Sequence, residues 1–116
     1  MAEHKHDPDV IEAVADVVRD WPEVRRRKLF GHPGFLACGK TFAVIDGSAV
    51  VMLRLAEDAR ATLERDFGAG PFLIDGAPTR GWIRVPTSGV DDVLALGPWL
   101  HDAYEAAAEA GIIRGL

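Results

Sequence analysis

The sequence predicts an α+β fold in which a mainly antiparallel sheet carries its helices on one face. Three observations lead there. Segments near the start, the middle and the end of the chain show helical periodicity, and two groups of short apolar runs lie between them. The turns between neighbouring runs are glycine-containing and too short for a crossover helix, so adjacent runs must pair antiparallel. The resulting order is helix, several strands, helix, two strands, helix, which a two-layer sandwich satisfies most simply.

The first helix has a complete start signal. Asp7 is placed to cap it, Pro8 suits the first helical position, and Asp9 and Glu12 favour the positive end of the dipole. Val10, Val14, Val17, Val18 and Trp21 then form one apolar stripe, and Pro22 ends it. Residues 24–30 read as a strand leading into a Gly31-His32-Pro33-Gly34 turn. Residues 35–38 and 41–45 are short strands, the second closed by the hairpin dipeptide Asp46-Gly47, and residues 49–55 follow. A second helix covers residues 56–67 with Leu55, Ala59, Leu63 and Phe67 along one side, ended by Gly68-Ala69-Gly70-Pro71. Residues 72–74 and 81–85 are two more strands. The last helix starts near Gly97-Pro98, after a short turn from Asp91, and closes at Gly111. Trp99, Leu100, Ala103, Tyr104, Ala107 and Ala108 mark its buried side.

Size and composition bound the function. The 116 residues form one domain, 1–116, with 48% hydrophobic and 27% charged residues, an ordinary balance for a chain that builds one core. The net charge of −5 disfavours nucleic acid as a partner, because sequence-independent binding needs a dense cationic footprint. A single cysteine, Cys38, has no partner for an internal disulfide and reads as a small buried strand residue. The chain opens without an apolar run, and none approaches the roughly 20 residues of a membrane helix, so a cytoplasmic, non-membrane location is expected.

Strand pleating singles out one surface. In the fourth run, Ala49, Val51, Leu53 and Leu55 form an uncharged set expected to face the helices, leaving Val50, Met52 and Arg54 on the other side. In the last run Ile83 and Val85 are expected to face the helices, leaving Trp82 and Arg84 outside. Met, Trp and Arg are enriched where proteins meet partners, so Met52, Arg54, Trp82 and Arg84 are candidate contact residues, with a homodimer through the outer sheet face as the leading partner. The competing reading is that a loop or the C-terminal tail covers this face and Trp82 is simply core.

Other candidates are sparser. The run Arg25-Arg26-Arg27-Lys28 sends Arg25 and Arg27 to one face and Arg26 and Lys28 to the other. It reads as a charged edge strand partly neutralised by the acidic first helix, with a phosphate or nucleic-acid contact at Arg25 and Arg27 as the alternative. His32 and Lys40 near the turn are candidates for a small-ligand site. His4 and His6 are close enough to share a metal but have no third ligand placed by spacing, and His101 sits beside Asp102 without a partner. No P-loop, dinucleotide fingerprint, zinc spacing, hydrolase elbow or paired-carboxylate motif is present, so no enzyme, metal or cofactor is expected.

Several segments together resemble a known family. Arg27-Lys28-Leu29-Phe30-Gly31-His32-Pro33-Gly34-Phe35, followed by Cys38-Gly39-Lys40-Thr41-Phe42-Ala43-Val44-Ile45, is similar to the start of the TfoX/Sxy N-terminal domain, with its Phe-Gly turn and Gly-Lys-x-Phe-Ala strand. Val51-Met52-Leu53-Arg54-Leu55, Pro71-Phe72, Trp82-Ile83-Arg84-Val85-Pro86 and residues 99–107 continue the match, which covers about residues 10–108. The related MmcQ/YjbR family shares the Phe-Gly, Gly-Lys-x-Phe and Trp-x-x-Val features. The resemblance implies an α-β(3)-α-β(2)-α architecture, an association with competence regulation or DNA binding, and no catalytic residues. Full-length TfoX/Sxy proteins carry a second, C-terminal domain with no counterpart here, which points away from a competence role. The reading that results is a non-enzymatic binding or regulatory module. A small-ligand binder or minor enzyme using His32 and Lys40, or a plain dimeric structural domain, stands as the alternative.

Overall fold

A computed structural model describes the backbone of residues 6–115 and the side chains of residues 6–111. The elements run α1 (Pro8–Val18), β1 (Val24–Leu29), β2 (His32–Ala37), β3 (Lys40–Asp46), β4 (Ala49–Leu53), α2 (Glu57–Phe67), β5 (Gly70–Ile74), β6 (Ala77–Val85), α3 (Val90–Ala95) and α4 (Gly97–Gly115). The six strands form one antiparallel sheet in the order β1-β2-β3-β4-β6-β5. Relative to the expected α-β(3)-α-β(2)-α pattern there is one more strand before α2 and one short helix before the last. His4, and with it the metal it could share with His6, lies outside the described residues.

Local chemistry explains the elements. Asp7 caps α1 by accepting the Asp9 amide hydrogen at 2.9 Å, and its own amide donates to the Gly47 carbonyl at 2.9 Å, fixing the helix start to the β3–β4 turn. Three hairpins turn through an X-Gly pair with both residues at positive φ: Phe30-Gly31, Cys38-Gly39 and Asp75-Gly76. This is the type I′ geometry whose twist matches that of the flanking strands. The first turn therefore begins one residue before the Gly31–Gly34 segment expected to make it and shares only Gly31 with it, and His32 starts β2. Cys38 is a half-buried turn residue, not a strand residue.

One core lies between the sheet and all four helices. It joins Val10, Val14 and Val18 of α1, Leu63 of α2, Val93 of α3 and Leu100, Ala103 and Ala107 of α4 to Phe35, Ile45, Val50, Met52, Ile83 and Val85 of the sheet. A bulge in β3 lets Phe42 and Ala43 both enter this core: Ala43 pairs with Phe35 and Thr41 with Leu36, leaving Phe42 as the extra residue.

Met52 corrects the expected facing of β4. It is fully buried on the helix side together with Val50, whereas Val51 faces the other way. The alternation was misleading because every residue of Ala49–Leu53 is buried, so neither face carries a polar marker. Arg54, taken as that marker, lies past the strand end at φ 69 and reports nothing about the pleat. Met52→Ala is expected to cost about 2–5 kcal/mol in urea unfolding, the range for truncating a core side chain; a loss below about 0.5 kcal/mol would return Met52 to the surface.

At the open end of the core, Tyr104 donates its hydroxyl to the Pro22 carbonyl at 2.8 Å, beside Trp21, Phe42 and His101. Burial first, then the neighbouring Cys38, Glu105 and Glu23, raise its pKa above the ordinary 10.0. The folded state therefore holds this proton more tightly than the unfolded one, and its contribution is complete below pH 10.0 and lost as pH rises through the raised native value. Tyr104 is the chain's single tyrosine, so tyrosinate absorbance reads it directly. Native absorbance should titrate later than that of the urea-unfolded chain, and Tyr104→Phe should flatten the alkaline fall in stability while costing about 1 kcal/mol at neutral pH.

Gly111 does not end α4, which continues to Gly115. It is the point where α4 crosses the β2–β3 turn: a Cβ there would lie 2.6 Å from the Cys38 Cβ and also collide with the Cys38 carbonyl oxygen. Glycine is required for approach, not for termination. Gly111→Ala should destabilise by about 1–3 kcal/mol despite alanine's better helix propensity, and a stabilised variant would refute the close packing.

Candidate functional site: the helix-free face of the sheet

The face away from the helices is neither flat nor polar. Val44, Val51 and Phe72 are buried there, with Leu29, Ile74 and Trp82 packed against them. His32 on β2 and Phe72 on β5 are separated by three intervening strands, a distance of about 19 Å in a flat sheet. Their ring centroids are 5.9 Å apart. The sheet therefore coils strongly, and its two ends close over Val44 and Val51 to build a second, smaller core from side chains alone.

Trp82 lies at the centre of this closure. It stacks on Phe72 with centroids 5.5 Å apart and planes 5° from parallel, and Phe30 from the β1–β2 turn meets it at 6.3 Å. The competing sequence reading placed a loop or the C-terminal tail over it; among the described residues its ring neighbours are Phe72 of the sheet and Phe30 of the β1–β2 turn. Phe30 is 62% exposed and holds φ 53, a left-handed conformation that is uncommon for a bulky residue and costs about 1–2 kcal/mol.

Beside the aromatic cluster lies a polar one. Arg84 Nε donates to Asp46 Oδ2 at 2.9 Å, and Asp46 Oδ1 stands 3.9 Å from His32 Nδ1. His6 Nε2 is 3.0 Å from His32 Nδ1, their rings edge to face, so one of the two imidazoles carries the shared proton. Asp46 ends β3, Arg84 is two strands away on β6, and His6 reaches over the strand ends from the start of α1. The pair ties the middle of the sheet to the N-terminal segment.

The other sequence candidates separate. Arg25 and Arg27 share this face on the edge strand β1, since Arg27 pairs with Gly34, and Gly34 with the outward Val44. Arg26 points to the helices, where it lies over the Phe35 ring at 5.7 Å and reaches Glu12 at 3.6 Å, an exposed pair worth at most about 1 kcal/mol. His32 and Lys40 occupy opposite ends of β2's hairpins: His32 opens β2, and Lys40 pairs with Ala37 at its far end, about 17 Å along the strand. They do not form one site. His101, Asp102 and Glu105 place ligand atoms within 4.8 Å of one another on α4, a surface grouping with Glu105 3.5 Å from His101. No helix among the described residues is long and apolar enough to cross a membrane.

Asp46, Phe30, Phe72 and His6 are participants that sequence reasoning missed. Asp46 read as a turn residue, and His6 only as a possible metal-sharing neighbour of His4. Phe30 had a usable signal: it occupies the turn position before glycine where asparagine or aspartate is the common choice.

Comparison with known proteins agrees with the fold. No curated protein and no solved structure matches the chain. The TfoX N-terminal domain family matches residues 16–107, from the second half of α1 to the packed part of α4, and so takes in the whole sheet. With that span, most of its length, the chain belongs to the TfoX N-terminal domain family.

Proposed function

We propose that this domain is a non-catalytic binding module of regulatory type, and that its partner surface is the helix-free face of the sheet around Phe30 and Trp82. The observation that carries this reading is Phe30. A phenylalanine at positive φ and largely exposed serves neither its turn nor the core well. Strain and exposed aromatic surface retained together are what a binding site would require. Around it, Trp82 supplies a half-buried aromatic floor, and Arg25 and Arg27 flank it on the edge strand.

The ionisable groups of the face support binding over catalysis. Asp46 is engaged by Arg84, and His32 by His6, so these side chains hold the coiled sheet together. The reading names a second copy of the chain as partner. A two-fold interface sets the same patch against itself, which brings the arginines of one copy over the Phe30 and Trp82 rings of the other. The net charge of −5 and the division of the basic run between two faces weigh against DNA.

Sedimentation equilibrium of wild type beside Phe30→Asn tests this. Asparagine is at ease in the left-handed turn, so the variant should fold with equal or greater stability, by up to about 1 kcal/mol. Wild type should sediment at twice the mass of one chain and the variant as a monomer. A monomeric wild type, or a dimer indifferent to the substitution, overturns the proposed surface.

A further inference from the structure

At one end of the β4–β6 pair, next to the aromatic face, is a cavity of about 370 Å³ lined by Leu53, Arg54, Leu55, Arg60, Arg80 and Trp82. We infer that it binds the phosphate group of a small phosphorylated molecule. Three guanidinium-bearing residues from three parts of the chain converge on it: Arg54 from the end of β4, Arg60 from α2 and Arg80 from β6. Among the described residues none of the three is paired with a carboxylate, whereas Arg19, Arg26, Arg65 and Arg84 each are. Arg25 and Arg27 on the edge strand also have no carboxylate partner among the described residues, but Arg54, Arg60 and Arg80 line one cavity.

Three further features show how the arrangement is built. Arg60 Nε is buried with no hydrogen-bond partner among the described residues, a donor whose desolvation a ligand oxygen would offset. Arg54 is held at φ 69, where asparagine or glycine would relax the backbone. Arg80 is brought in by a disruption of β6, in which Thr79 to Trp82 stand opposite the single residue Phe72 and Gly81 takes φ +83.

The chemistry of the ligand follows from the lining. Three guanidinium groups can place more donors than one carboxylate can accept, while the oxygens of a phosphate dianion take paired donors from several directions. Leu53, Leu55 and Trp82 give an apolar wall for the organic part. The cavity is of ordinary ligand size and takes one phosphate group, and the acidic net charge repels a polyanion, so a nucleic acid strand is not the fitting occupant.

Isothermal titration calorimetry of the whole chain with phenyl phosphate, inorganic phosphate and benzoate provides the test. Phenyl phosphate should bind, inorganic phosphate more weakly because it leaves the apolar wall unused, and benzoate not at all. If inorganic phosphate binds as tightly as phenyl phosphate, the ligand is free phosphate and the organic assignment falls. Arg60→Met should weaken phenyl phosphate at least about tenfold, or about 1.4 kcal/mol. Arg54→Asn should do the same while leaving the chain at least as stable, which separates ligand loss from misfolding. Phe30→Asn should leave the affinity unchanged, so this site stands or falls independently of the proposed dimer. Unaltered affinity in both arginine variants, no heat with any phosphate, or preference for a single-stranded oligonucleotide overturns the inference.

Discussion

The sheet's coiling is the constraint on which the rest depends. Four helices and their connections cover one face of six strands, and the other face must meet water or find its own cover. Strand twist, accumulated over six strands, brings β2 and β5 within ring contact, and the aromatic side chains Phe72 and Trp82 fill the space between. Burying Val44, Val51 and Phe72 removes apolar area that a flat sheet would expose, at about 25 cal/mol per Å². The same closure decides which residues remain outside. Phe30 projects at one lip, and Arg54 and Arg80 stand at the end of the β4–β6 pair.

That geometry separates residues that stabilise the face from residues that present it. Asp46, Arg84, His32 and His6 connect β3, β6, β2 and the N-terminal segment through partly buried polar contacts, and such groups are worth more together than as isolated surface pairs. Phe30 and Arg54 do the opposite. Each occupies a left-handed backbone position with a large side chain, and each is exposed. Strain at two positions on the same side of the molecule, one aromatic and one cationic, is the pattern expected where stability has been exchanged for recognition.

How legible this was in the sequence depended on polarity contrast. The start of α1 was legible to the residue because Asp7, Pro8 and a one-sided valine stripe speak through independent mechanisms, whereas the helix stops at Val18, short of the Pro22 expected to end it. The outward placement of Trp82 and Arg84 followed from a strand whose two faces differ chemically. β4 defeated the same reasoning because both its faces are apolar, and a charge just past its end was counted as part of it. The family resemblance was carried by short motifs at turns and strand starts, which survive because turn geometry fixes them. The long-range pieces were not legible: no local pattern tells that β2 and β5 meet, that Arg60 and Arg80 share a cavity, or that Gly111 is small to admit Cys38 and not to stop a helix.

The closure of the sheet on itself is tested most directly by nuclear Overhauser contacts in solution between the His32 and Phe72 rings, residues forty positions apart and three strands away from each other in the sheet. A coiled sheet gives cross-peaks between the imidazole and phenyl protons, accompanied by contacts from Trp82 to Phe72. A well-folded chain lacking the His32–Phe72 cross-peaks would mean an open sheet with no second core, and the aromatic partner surface derived from that core would lose its basis.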